Sequence, residues 1–190
     1  LEWPDGRLFL IDSGLTPEDA ASFGAPLEWF GADPIQPLGA IGDQLAGARS
    51  RIAGVGFTHL HQDHTSGLAT LCTGGPDSVL VFQTRLQAEV GNFTTAPGNS
   101  DLAEAGCAEY RRLADLPLAP IPGFPGLFVI RAAGHTPGSQ IFVARVQGAD
   151  GPRTWIFTGD VVNHIAGIER DVPKPRLYSL LVVPESEERL

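Results

Sequence analysis

Three of the chain's five histidines, His59, His61 and His64, fall within six residues, with Asp63 among them. They belong to the run Thr58-His59-Leu60-His61-Gln62-Asp63-His64-Thr65-Ser66-Gly67. Neutral imidazole nitrogens and carboxylate oxygens are the ligands that zinc and similar divalent ions take, so the chemistry to expect here is metal binding. The spacing supports it. In an extended segment residues i and i+2 point the same way, so His59 and His61 can face one point in space. A turn after them brings Asp63 and His64 toward that point from another direction. The plain alternative is a polar loop whose histidines cluster by accident. Three of five in so short a pattern make accident a poor account.

Such a run acts as a site only if its flanking elements hold it. Ile52–Phe57 is short, apolar and glycine-containing and reads as a buried strand. Residues 65–72 are compatible with a helix, so the run sits where a strand ends and a helix begins. Other polar groups occupy similar places. Leu8–Ile11, after the turn signal Pro4-Asp5-Gly6, reads as a strand ending in Asp12-Ser13-Gly14. Leu127–Arg131 reads as a strand followed by Gly134-His135-Thr136-Pro137-Gly138-Ser139 and a further strand, Ile141–Val146. Residues 149–152 read as a turn. Thr154–Phe157 is a strand ending in Thr158-Gly159-Asp160. Taken singly these are weak signals: a lone histidine is more often a surface or core residue, and a Gly-Asp after a strand is usually a turn.

The remaining expectations are structural. Residues 16–36 are punctuated by proline and glycine, with Leu27, Trp29 and Phe30 packed or lining a pocket rim. Residues 37–50 are helix-like. Residues 74–77 form a turn, 78–82 a strand and 84–90 a short helix. Residues 91–100 read as a loop, 101–113 as a helix capped by Asp101 or Ser100, and 117–125 as a proline-rich loop. The tail after Gly167 reads as irregular as far as the apolar run 178–183. Residues 187–190 look like the opening turn of a helix.

Composition bounds the class. The chain has 190 residues, 43% hydrophobic and 18% charged, enough for one compact domain over 1–190 with a sizeable core. No apolar run approaches a membrane span. A net charge of −9 argues against a nucleic-acid partner, which normally needs a basic face. The 23 glycines and 16 prolines suit a loop-rich, β-rich layered fold. Cys72 and Cys107 are too few for a disulfide framework; free buried thiols are the first reading, one disulfide the second. The chain contains no methionine, even at position 1, so a mature form or a fragment is expected, with no targeting segment to read and a cytoplasmic location by default.

Together, His-x-His-x-Asp-His at 59–64, Gly-His-Thr-Pro-Gly at 134–138 and Thr-Gly-Asp at 158–160 resemble the motifs of the metallo-β-lactamase superfamily, in the family's order, across residues 8–164. The resemblance implies an α+β fold, an αββα sandwich, incomplete at both ends because family members usually carry further segments there. It implies that His59, His61 and His135 hold one metal ion, that Asp63 and His64 hold a second, and that Asp160 bridges them. Zinc is the expected metal, with iron or manganese as alternatives. The family commonly adds a later histidine to the second ion, and none follows His164 here. Either the chain stops short, His164 substitutes, or the second ion is weak. Asp12 would orient a ligand from behind. The activity implied is hydrolysis of an ester, lactone or related small-molecule carbonyl by a metal-bound hydroxide, with Asp63 orienting it and shuttling a proton. His164 reads equally as a pocket residue that stabilises charge and as an exposed loop histidine. Tyr178 is more readily a packed residue than an oxyanion donor. Two other readings stay open: a mononuclear iron dioxygenase acting on thiol-derived substrates through His59, His135 and Asp160, and a non-catalytic scaffold with a degenerate site.

Overall fold

The computed structural model describes residues 1–29, 31, 33–74, 77–162, 165–170 and 185, without the side chains of Pro26 and Leu27. In chain order the elements are β1 (Leu8–Ile11), α1 (Pro17–Glu28), α2 (Ile41–Gln44) with a 3-10 segment Ala46–Arg51, and β2 (Ile52–Gly56). There follow α3 (Gln62–Thr65) with a 3-10 segment Ser66–Leu71, β3 (Val79–Gln83), α4 (Arg85–Glu89), a 3-10 turn Phe93–Thr95 and α5 (Ala96–Glu104). Then come β4 (Ala108–Arg112), β5 (Leu118–Pro120), β6 (Leu127–Arg131), β7 (Gln140–Gly148), β8 (Gly151–Phe157), a 3-10 turn Gly159–Val161 and α6 (Ile165–Arg170). The fold class is α+β, with two four-stranded sheets ordered β1-β2-β3-β4 and β5-β6-β7-β8. Among the described residues no helix is long and apolar enough to cross a membrane.

The chain divides into two compact units: Leu1–Phe57, His61–Val81 and Thr95–Arg111 form the first, and Thr58–Leu60, Phe82–Thr94 and Arg112–Leu190 the second. In the first, β1 pairs parallel with β2, Leu10 opposite Val55 and Ile11 opposite Gly56. Its core is Phe9, Ile52, Val55, Phe57, Leu68, Leu71, Val79 and Val81, all buried. Strands buried on both faces read as continuous apolar runs, which is how β2 reads. In the second unit β6, β7 and β8 form an antiparallel meander, Val129 opposite Phe142 and Ala144 opposite Trp155. Along β7 the buried residues alternate, Gln140, Phe142 and Ala144, as a strand with one core face requires. Phe82 and Phe124 meet edge to face with ring centroids 5.8 Å apart.

Several expectations need correction. Residues 17–28 form α1, a helix that the prolines obscured. Thr16 is its cap, donating to the Asp19 carboxylate (2.8 Å) and accepting from the Asp19 N–H (3.2 Å), with Pro17 at the first turn, where it costs no hydrogen bond. Trp29 is 86% exposed and so not packed; Phe30 lies outside the described residues. Most of the expected loop 91–100 is helical, as the 3-10 turn Phe93–Thr95 and the start of α5, whose first turn admits Pro97. The expected helix 101–113 ends at Glu104, and Ala108–Arg112 instead joins the first sheet as β4. Leu118–Pro120, expected as loop, pairs with β6 at the sheet edge, where a proline is tolerated. Residues 165–170 are helical. Cys72 and Cys107 are joined in a disulfide, Cα atoms 5.3 Å apart across a sequence separation of 35. Val79 N–H donates to the Cys107 carbonyl (2.9 Å), so the pairing of β3 brings the second cysteine to the first.

Candidate metal centre

In the first unit the site residues stand on the turn after β2. His61 is extended (φ −81°, ψ 153°) and stands at the residue before α3, a single turn that carries Asp63 and His64. That turn is tied to its surroundings on several sides. The backbone N–H of Ser13 donates to the His64 carbonyl (2.8 Å), and so does the Ser13 hydroxyl (3.1 Å). Thr65 Oγ1 donates to Asp101 (2.6 Å), and Gln62 Nε2 to Asp19 (3.3 Å). The Ser66 hydroxyl also bonds to Asp19. Burial pushes the Asp101 carboxyl above the ordinary carboxylate range, and the Thr65 hydrogen bond acts in the opposite sense. Gly67 must lack a side chain, since a Cβ there would lie 2.3 Å from the Ser13 carbonyl oxygen.

Asp12 is the one described non-glycine residue with positive φ, at 62°. Asp tolerates this left-handed conformation better than most residues, though it still stores strain. Here it turns Oδ2 onto His64 Nδ1 at 2.9 Å. A carboxylate oxygen only accepts, so Nδ1 donates and His64 Nε2 points toward Asp63 Oδ2, 3.5 Å away. Asp63 and His64 each offer a ligand atom within 4.8 Å of the other.

The second unit assembles its residues from three separate strand ends. The stretch 58–60 is held by the Gln140 N–H, which donates to the Thr58 carbonyl (2.7 Å). His135 sits in a tight turn closed by Thr136 and Ser139, with the Thr136 N–H donating to Ser139 Oγ (2.9 Å). That turn packs on Gln87, and a Cβ at Gly138 would lie 2.4 Å from Gln87 Cα. His59 and His135 are each 1% exposed, and their rings meet edge to face with centroids 4.6 Å apart. Their ring nitrogens lie within 4.8 Å of one another. His59 Nδ1 shares a 3.2 Å hydrogen bond with Thr58 Oγ1. His135 Nδ1 is 2.5 Å from Glu185 Oε1, and its Nε2 is 3.9 Å from Asp160 Oδ2. Asp160 lies in the turn after β8 (φ −88°, ψ 15°), reached through Gly159 at φ +53°. Gly159 presses on Thr58, where a Cβ would approach Oγ1 to 2.5 Å.

The structure therefore brings His59, His135 and Asp160 together in one unit, and Asp12, Asp63 and His64 together in the other. His61 follows His59 by two residues of chain. His164 and Tyr178 lie outside the described residues. The donor chemistry suits a divalent cation: buried imidazoles oriented by hydrogen bonds, with carboxylates at hand. Sequence reasoning missed Glu185 and Asp19, and it read Asp101 as a helix cap, whereas Asp101 lies inside α5 and accepts from Thr65. Thr16-x-x-Asp19 carried a capping signal, but nothing in Pro184-Glu185-Ser186-Glu187 distinguishes Glu185 from an ordinary acidic tail residue.

The model of the metallo-beta-lactamase superfamily matches residues 1–180 of the chain. No curated protein matches it in sequence. Among solved structures it is similar to a quorum-quenching N-acyl homoserine lactone lactonase, at 18% identity and a TM-score of 0.62, covering 91% of this chain and 64% of that one. It is also similar to an N-acyl homoserine lactone hydrolase with the product N-hexanoyl-L-homoserine bound at its catalytic metal center, at 16% identity, TM-score 0.60, covering 86% and 63%. A third is a B. thuringiensis mutant protein with N-decanoyl-L-homoserine at its active site, at 18% identity, TM-score 0.58, covering 86% and 63%. The chain spans less than two thirds of the length of each. At these identities the likeness shows the fold.

Proposed function

The chain belongs to the metallo-beta-lactamase superfamily, and on that premise we propose that it is a metal-dependent hydrolase of lactones, esters or related small-molecule carbonyl compounds. The observation that carries this reading is the pair His59 and His135, buried ring edge to ring face, with Asp160 beside one of them. Two imidazoles taken out of water and oriented by hydrogen bonds suit metal ligation. The lactone is favoured because several proteins that share this fold are described as N-acyl homoserine lactone hydrolases.

On this reading His59, His61 and His135 would hold one ion, Asp63 and His64 would hold a second, and the Asp160 carboxylate would be available as a further ligand. Divalent cations so held supply Lewis acidity and a water of lowered pKa. The chain's own groups do the rest. Asp12 holds His64 by its Nδ1–H, which keeps Nε2 on the side of Asp63. The Asp63 carboxylate accepts a proton from the attacking water as the new C–O bond forms. It returns that proton to the alkoxide oxygen when the original C–O bond breaks, so a lactone opens to a hydroxy acid with atoms and charge balanced.

The test is to load the purified protein in turn with zinc, manganese and iron and assay it on a lactone, an ester, a thioester, a β-lactam and a phosphotriester. Lactone and ester hydrolysis should follow metal content and vanish on chelation. Oxygen uptake by the iron-loaded protein with a thiol-derived substrate, or turnover indifferent to metal, would overturn the proposal.

A further inference from the structure

Glu185 lies beyond the 180 residues matched by the family model, and 50 residues along the chain from His135. Its side chain is 0% exposed, as that of His135 is 1%. A carboxylate removed from water is costly unless charge-assisted hydrogen bonds compensate it. Here Oε1 lies 2.5 Å from His135 Nδ1. The opposite nitrogen of the same ring, Nε2, faces Asp160 Oδ2 at 3.9 Å. The ring also stands edge to face against His59. One imidazole is thus fixed at one nitrogen by a buried acceptor while the other nitrogen is turned to the candidate ligands.

We propose that Glu185 is a positioning residue: it holds His135 as the Nδ1–H tautomer, so that the lone pair on Nε2 is the one presented for ligation. The proposal rests on the reading of His135 as a metal ligand. A neutral imidazole carries one proton and one lone pair. An acceptor at Nδ1 settles which nitrogen has which, and a partner of this kind also fixes the ring plane and raises the basicity of the ligating nitrogen. Glu185 transfers no proton and touches no substrate in this scheme.

Two variants separate positioning from mere packing. Glu185→Gln retains an acceptor oxygen of the same reach, whereas Glu185→Leu retains bulk alone. In metal-free protein, at a pH above the imidazole range, imidazole nitrogen-15 spectra should show the His135 proton on Nδ1 in the parent chain and in Glu185→Gln. In Glu185→Leu it should move to Nε2 or divide between the two. Zinc affinity, measured by chelator competition, should fall about 10- to 100-fold in Glu185→Leu, with Glu185→Gln recovering most of it. A parent spectrum with the proton on Nε2 overturns the proposal without reference to any variant. So does Glu185→Leu with parental tautomer and parental zinc affinity. A parent chain that binds no zinc fails the hydrolase reading instead, and the tautomer then decides for or against the Glu185 contact by itself.

Discussion

In the first unit Asp63 and His64 stand on a single helical turn, 30% and 15% exposed, and that turn is held by hydrogen bonds given to the Asp12, Asp19 and Asp101 carboxylates and received from Ser13. In the second unit His59 and His135 are almost wholly buried, and each is held by packing against the other and by a partner at its Nδ1. The donor atoms are alike but the means of holding them differ. A partly exposed pair of candidate ligands keeps water as a competitor for every bond it makes, whereas a buried pair has already lost that competitor. An ion held through His59 and His135 should therefore be the tighter of two, and one held by Asp63 and His64 the first to leave.

The largest expected effect tests that contrast directly. His135→Ala should remove the tight ion and lower lactone hydrolysis more than about 100-fold, beyond the range of changes to outer partners. His64→Ala should cost one ion per chain and leave the tight one in place, and mild chelation of the parent chain should reproduce its stoichiometry. Elemental analysis beside the hydrolysis assay reads both. Equal loss of both ions in His64→Ala would break the contrast.

The disulfide belongs to the first unit alone. Replacing Cys72 and Cys107 with alanine should lower unfolding free energy by about 2–4 kcal/mol, read from denaturant titration. Reduction of the parent chain should do the same, and a protein indifferent to reductant would show the bridge to be unimportant. Each unit also has a glycine on which its loop closes. Gly67→Ala, against the Ser13 carbonyl, and Gly138→Ala, against Gln87, should each cost about 1–3 kcal/mol, because the obstructing atoms are backbone. Thermal melts that leave either variant at the parental Tm would refute the packing described for that unit.

A smaller effect is expected at Asp12. Asp12→Ala should weaken the ion held by Asp63 and His64 about 10- to 100-fold while sparing the tight one. Asp12→Asn, which keeps the shape and tolerance of positive φ, should fall between. The smallest concerns Asp101, whose carboxyl is raised by burial. A group whose folded value lies above its unfolded one contributes stability that is complete below the unfolded value and is lost as pH rises through the folded value. Asp101→Asn should therefore flatten the fall in stability just above the ordinary carboxylate range. An unaltered stability–pH curve would place the Asp101 shift outside the folding equilibrium.

Parts of this architecture are legible in the sequence. Leu127–Arg131 was expected as a strand and is one, because its apolar run is bounded by clear turn residues. Leu8–Ile11 and the buried strand before the histidine run followed from the same signal. Local pattern misled where a distant partner decided the outcome. Residues 108–112 looked helical in isolation, yet sheet pairing made them β4. The prolines at 17 and 97 read as breaks, although a helix admits proline in its first turn.

The sequence by itself determined the chemistry available. Imidazole and carboxylate donors are covalent properties of His59, His61, Asp63, His64, His135 and Asp160, and the i, i+2 step is fixed by backbone geometry. Tertiary structure alone decided which of these side chains are dry, which carboxylate orients which ring, and that the two cysteines meet. Glu185 reaches His135 across 50 residues, Asp12 reaches His64 across 52, and Cys72 reaches Cys107 across 35. No local pattern encodes such distances. They are set by how the strands pair and where the core closes, which is why an acidic residue in an undistinguished tail could become the partner of a buried histidine.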